Sequence, residues 1–175
     1  MAKVGPAEPT DARELAEVAA RTFPLACPPS STRQNIAAFV DANLSPARFT
    51  EYLADPDRVV LAARQDEVIV GYAMLIRGVI DDADVAGAVG LRPAVELSKM
   101  YVLGDRHGAG VSADLMRAVI THARGLAARA MWLGVNQQNR RAQRFYAKHG
   151  FTVSGTRTFR VGEVIENDYV MVRPL

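Results

Sequence analysis

Glu96–Met116 reads ELSKMYVLGDRHGAGVSADLM, and the fold is decided in this stretch. Val95–Leu103 is an apolar run of strand length, and from Val111 to Leu126 apolar residues recur at Leu115, Met116, Val119 and Ile120, as on one face of a helix. Between them lies Gly104-Asp105-Arg106-His107-Gly108-Ala109-Gly110-Val111-Ser112, a glycine-rich turn from strand to helix. Such a turn lets backbone N–H groups approach a ligand at the positive end of a helix, which suits an anion. Tight strand-to-helix packing accounts for the same glycines. The turn lacks the Lys-Ser/Thr ending of a P-loop and the spacing of a dinucleotide fingerprint, so the common nucleotide readings fail.

Outward from the turn, Met131–Val135 is a second short strand, and Asn139–His149 a helix stopped by Gly150. Strand, helix, strand, helix makes a βαβα unit with two parallel strands, and ligands favour the carboxyl ends of such strands. Antiparallel hairpins flank it. Val59–Arg64 and Val68–Ile76 surround the turn Gln65, Asp66, Glu67, and Phe151–Arg160 and Val164–Val172 surround Gly162. Towards the N-terminus, Asp11 reads as a cap ahead of Leu15, Val18, Ala19 and Phe23, and two more helices follow at Arg33–Asn43 and Pro46–Ala54. Ser45 and Pro46 open the latter as cap and first helical residue. Gly78–Pro93, with Asp81, Asp82 and Asp84, reads as a long polar loop. No repeat or interdomain linker interrupts the 175 residues, which read as one α/β domain.

Composition excludes several partners. Twenty-one Lys and Arg against 19 Asp and Glu leave a net charge of +2, which is no nucleic-acid footprint. No stretch approaches the ~20 apolar residues of a membrane span, and the N-terminus carries no apolar leader, so the expected location is the cytosol. One Cys and three His offer no zinc spacing, and Cys27, in a proline-rich turn with no His near it in sequence, reads as a bystander. Arg outnumbers Lys 18 to 3, which fits phosphate recognition or a plain compositional bias.

MYVLGDRHGAGVSADLM (Met100–Met116) and LGVNQQNRRAQRFYAKHGF (Leu133–Phe151) resemble, in content and separation, two motifs of the GNAT superfamily of acetyl-CoA-dependent N-acetyltransferases. The resemblance is close from Glu96 to the C-terminus and extends to the N-terminal part in element order. It implies a mixed, curved sheet of six or seven strands with an antiparallel N-terminal half and helices on both faces. It implies acetyl-CoA as cosubstrate, no metal, a small-molecule amine acceptor attacked directly, and a homodimer. His107, Gly108, Ala109, Gly110, Val111 and Ser112 fall on the pyrophosphate cradle, with His107 and Ser112 departing from the family pattern at its first and last positions. Gly104 replaces the usual proline, and neither departure nor this replacement removes a backbone donor. The pantetheine arm falls beside Met100, Tyr101 and Val102, Asn139 falls on the cofactor-contacting Asn, and Tyr146 on the family's Tyr. Phe39–Arg58 and Glu96–Val102 resemble, more loosely, the bacterial polyamine acetyltransferases. Protein N-terminal or lysine acetylation, and a catalytically idle CoA-binding module, are the rival readings.

Chemistry gives Tyr146 an independent reason. As an amine attacks the thioester, an oxyanion forms and the sulfur leaves as a thiolate, which a phenol of pKa ~10 can protonate. A backbone N–H near Val102 would polarise the carbonyl. The other reading of Tyr146 is a core aromatic beside Phe145, and that of Asn139 a helix cap. An alkylammonium of pKa ~10.4 must first lose a proton, at ~4 kcal/mol near neutrality unless the site lowers that pKa. Glu96 is the candidate base, or else a surface carboxylate at a strand end. A Glu found at the position of Gly134 in relatives acting on ribosomal protein N-termini is absent. Arg140, Arg141 and Arg144, neighbours on one helix, reach for the cofactor phosphates or form a solvated face.

Overall fold

The computed structural model describes residues 2–106 and 110–175. A seven-stranded sheet runs in the order β1 (Lys3–Pro6), β2 (Arg58–Gln65), β3 (Val68–Arg77), β4 (Ala94–Val102), β5 (Ala130–Asn136), β7 (Val164–Pro174), β6 (Thr152–Val161). Every neighbouring pair is antiparallel except β4 and β5. Both predicted hairpins form. Asp66 and Glu67 close the first with φ of 50° and 67°, the left-handed pair that a two-residue hairpin turn requires. Gly162, at φ 62°, and Glu163 close the second.

β3 is buried without interruption from Ile69 to Leu75. Successive strand residues face opposite ways, so both faces of the sheet are covered there. The cover comes from α1 (Ala12–Ala26), α3 (Pro46–Ala54), which packs on α1, and α5 (Val111–Gly125). Of the apolar faces that periodicity identified, Leu15, Ala19, Leu115, Met116 and Val119 are fully buried, Val18 and Phe23 nearly so, and Ile120 in part. α2 (Arg33–Asn43) lies beside α1, starting at a Thr32 cap whose hydroxyl accepts from the Asn35 N–H. Ser45 caps α3 as expected.

Two expectations are corrected. Asp11 stands ahead of α1, but its carboxylate accepts from the Glu8 N–H and pairs with Arg64 at 2.6 Å instead of capping the helix. Gly78–Pro93 is not all loop. Ala83–Ala88 forms α4, capped by Asp82, whose carboxylate accepts from the N–H groups of Asp84 and Val85. Gly87 and the three acids conceal this helix in the sequence. Its apolar side chains, Val85 and Val89, complete a second small core around Trp132, whose indole N–H donates to the Gly78 carbonyl at 3.0 Å.

Candidate active site

β4 and β5 share only three register pairs, Ala94↔Ala130, Val95↔Met131 and Glu96↔Trp132, and then diverge. β4 stays bound to β3 on its other side and β5 to β7, so the sheet splits open between them without losing either half. A cavity of about 530 Å³ occupies the split, walled by β4, β5, α6 (Arg140–Lys148), the ends of α1 and α2, and the β6–β7 hairpin.

Met100, Tyr101, Val102, Ser112, Asn139 and Tyr146 line the cavity, so most of the residues singled out in the sequence meet there. Gly110 precedes α5 at φ 81°, a conformation costly to any residue with a Cβ, and the space a Cβ would occupy is open. Neither Gly110 nor Val111 lines the cavity, the Val111 side chain being buried in the core, and Ser112 lies in the first turn of α5, not at its cap. His107, Gly108 and Ala109 lie outside the described residues. Asn139 is a helix cap and also lines the cavity. Its Oδ1 accepts from the Ala142 N–H at 3.1 Å, which leaves the amide N–H₂ uncommitted to the cap. Tyr146 packs edge-on against Phe151, with centroids 5.8 Å apart, and burial pushes its phenol up to about 12. It holds its proton at neutral pH.

Glu96 is no surface carboxylate. It is 7% exposed and lines the cavity, and burial raises its carboxyl above the usual range against the pull of Arg157, Lys99 and Arg58. Lys99 is the partner that strand periodicity missed. Residues three apart on a regular strand face opposite ways. The pairing of β4 with β3 slips by one residue at Ser98, from Leu75↔Leu97 to Met74↔Lys99, and Glu96 and Lys99 both line the cavity. Burial lowers the Lys99 ammonium to about 8, with Glu96 opposing that shift, and its Nζ lies 5.5 Å from the centre of the Tyr52 ring.

The hairpin supplies what else was missed. Arg157 of β6 pairs with the buried Asp168 opposite it on β7 at 3.3 Å, and lies 5.6 Å from the ring centres of both Trp132 and Phe159. Its guanidinium fills the space over Gly134, so a side chain at that position would run into it. Counting outward from the Gly162 turn pairs residue 157 with 168, a signal the sequence does carry. Burial and the nearby Glu166 push the Cys27 thiol up to about 11, so it stays protonated and unreactive. Of the three helical arginines only Arg141 lines the cavity, and all three are exposed. Asp81, Asp82 and Asp84 lie outside it.

The fold and this cleft define the class. Residues 27–165 match the family model described as an acetyltransferase (GNAT) domain, and the chain belongs to that family. It is 61% identical over 166 residues to an uncharacterised N-acetyltransferase of Mycobacterium tuberculosis, across 95% of this chain and 99% of the relative. Among solved structures, the PaiA N-acetyltransferase of Thermoplasma acidophilum, in complex with coenzyme A, superposes with a TM-score of 0.78 at 17% identity over 100% of this chain and 99% of its own. Arabidopsis thaliana NAA60, in complex with a bisubstrate analogue, superposes with a TM-score of 0.75 at 16% identity over 99% and 98%. At such identities these two establish the fold, which is the mixed seven-stranded GNAT sheet expected from the two motifs. Among the described residues no helix is long and apolar enough to cross a membrane.

Proposed function

We propose that this protein transfers the acetyl group of acetyl-CoA directly to a primary amine of a small molecule, with Tyr146 as general acid and Glu96 as general base. The observation that carries this reading is the meeting of Glu96, from β4, and Tyr146, from α6, in one cavity at the split between the parallel strands.

The residues present fit the cofactor. The diverging strands leave an edge of β4 around Met100 and Tyr101 along which an amide-bearing arm can lie, and the start of α5, with Gly110 in a left-handed conformation, offers N–H groups to a pyrophosphate. Asn139 stands on the same wall. Bound there, acetyl-CoA supplies an acetyl group already activated as a thioester. The chain's own groups manage protons. Tyr146, protonated throughout the physiological range, donates to the departing sulfur. Glu96, made more basic by burial, accepts the proton that the acceptor ammonium must lose, directly or through water.

A small acceptor is favoured over a peptide because α1, α2 and the β6–β7 hairpin wall the cavity of about 530 Å³, which the cofactor arm shares with the acceptor. Glu96, Glu166 and Asp168 give its lining the carboxylates that a polyamine needs, a role the outlying Asp81, Asp82 and Asp84 do not fill. Following thiol release from acetyl-CoA with spermidine, 1-aminobutane and a panel of N-terminal peptides tests the reading. Turnover of the amines with none for the peptides is expected. Turnover of the peptides alone overturns the acceptor class, and no thiol release with any of them leaves a CoA-binding module.

A further inference from the structure

The cavity at the split between the parallel strands already holds an amine of the chain itself. Lys99 stands on β4 one residue before Met100, at the strand edge assigned to the cofactor arm, and it lines the cavity. Strand alternation puts it on the same face as Tyr101, which packs edge-on against Phe23 of α1 with ring centres 6.5 Å apart. Its Nζ donates to the Ser98 hydroxyl at 3.3 Å and lies 5.5 Å from the centre of the Tyr52 ring, and Ser98 and Tyr52 line the cavity as well. The other two lysines, Lys3 and Lys148, are exposed on the surface.

An amine attacks a thioester only in its neutral form, and the surroundings of Lys99 favour that form. Among the described residues no Asp or Glu lies within ion-pair distance of Nζ. Burial lowers the ammonium to about 8, Arg58 of β2 acts in the same direction and Glu96 of β4 opposes both. Arg157 of β6 and Glu166 and Asp168 of β7 are the other charged side chains of the hairpin that line the cavity. About a tenth of Lys99 is then neutral at pH 7, against roughly one part in 2,500 for a free lysine side chain. Glu96 and Tyr146, the groups assigned to proton transfer, line the same space.

We propose that Lys99 is an automodification site, whose Nζ takes the acetyl group of acetyl-CoA bound in the same chain when no acceptor amine occupies the cavity. This rests on the placement of acetyl-CoA argued above. Neutral Nζ attacks the carbonyl carbon of the thioester, the C–N bond forms and the C–S bond breaks. The sulfur leaves with the Tyr146 proton, the nitrogen gives its surplus proton to Glu96, and that proton returns to Tyr146 through water. The products are acetylated Lys99 and free CoA thiol, so no further reactant is needed. The amide is neutral and longer than the amine, and it stays in the space that an acceptor would enter.

The test incubates the full chain with acetyl-CoA and no amine, and follows acetylation of Lys99, Lys3 and Lys148 by mass spectrometry of peptides. Acetylation of Lys99 ahead of the two exposed lysines is expected, at a rate per molecule that does not change when the protein is diluted. Tyr146→Phe should slow it about a hundredfold, the scale of losing a general acid. The same variant should leave labelling of Lys99 by acetic anhydride unchanged, since that reaction needs no acid from the protein and reports an intact cavity. Acetylation of Lys99 no faster than that of Lys3 and Lys148, a rate untouched by Tyr146→Phe, or a rate per molecule that falls on dilution overturns the site. If spermidine or 1-aminobutane releases thiol while Lys99 stays unmodified in acetyl-CoA alone, amine transfer stands and automodification falls. If Lys99 is acetylated as expected and neither amine releases thiol, the site stands and transfer to small amines falls. Acetylation of neither Lys99 nor an added amine removes both.

Discussion

In the proposed reading, the two walls of the cleft recognise their ligands by different means. The wall assigned to the cofactor draws on β4 from Met100 to Val102 and on the start of α5, with Asn139 and Tyr146 lining the same cavity, and much of what it offers is backbone. The acceptor wall is made of charged side chains drawn from β4, β6 and β7, with Tyr52 and Arg58 brought from far away in the sequence. Backbone recognition suits a cosubstrate that never changes, since it tolerates drift in side chains such as those of His107 and Ser112. Side-chain recognition suits an acceptor that differs between relatives, since Arg157 or Glu166 can change while the sheet stays intact.

That division is open to attack at the residue where the two walls meet. Tyr146→Phe removes one hydroxyl and none of the ring packing against Phe151. It is expected to lower kcat by ~10²–10⁴, the range for losing a general acid, while the acetyl-CoA dissociation constant from calorimetry stays within about twofold. A comparable loss in cofactor affinity would move Tyr146 out of the chemistry and into the cofactor wall.

A smaller effect tests the acceptor wall alone. Gly134→Ala puts a methyl group into the guanidinium of Arg157, which the Asp168 pair and the Trp132 and Phe159 rings hold in place. Arg157 must move and loosen its hold on a buried carboxylate, at an expected cost of ~1–3 kcal/mol, or a fall in Tm of a few degrees in a thermal melt. In an Arg157→Ala background the same substitution should cost nothing further, and additive costs would show that the two positions do not compete for the space.

What the sequence reveals follows the same division. The cofactor wall is local, so strand, glycine turn and helix can be read from one stretch, and the resemblance to the family's second motif then points to Asn139 and Tyr146. The hairpins could also be read, because turn chemistry fixes register. The acceptor wall could not be read in full. Glu96 could be read as the base or as a surface carboxylate, because burial depends on what packs around the strand, which the sequence of the strand does not show. Lys99 was hidden by the one-residue slip at Ser98, which breaks the alternation on which strand reading depends. α4 was masked by Gly87 and its acids, and only the Trp132 pocket explains why Val85 and Val89 fold there.

The smallest effect concerns Lys99 and Glu96, and its sign can be worked out. Burial lowers the Lys99 ammonium to about 8, so below that pH Lys99 is charged and its field lowers the Glu96 carboxyl, opposing the raising effect of burial. Lys99→Met removes the field and leaves the burial. The Glu96 carboxyl then rises further, and the acid limb of the kcat/KM profile moves to higher pH, with little change in the plateau reached once Glu96 is ionised. Glu96→Gln abolishes that limb in either background. Chemical labelling supplies the matching measurement on Lys99 itself. With Lys3, Lys148 and the α-amino terminus as competitors, separated from Lys99 by peptide mapping, acetic anhydride should modify Lys99 along a titration curve centred near pH 8, well below the ~10.4 of a free lysine side chain. If the acid limb moves to lower pH in Lys99→Met, Lys99 does not stabilise the ionised carboxylate, and the two residues share the cavity without sharing its electrostatics.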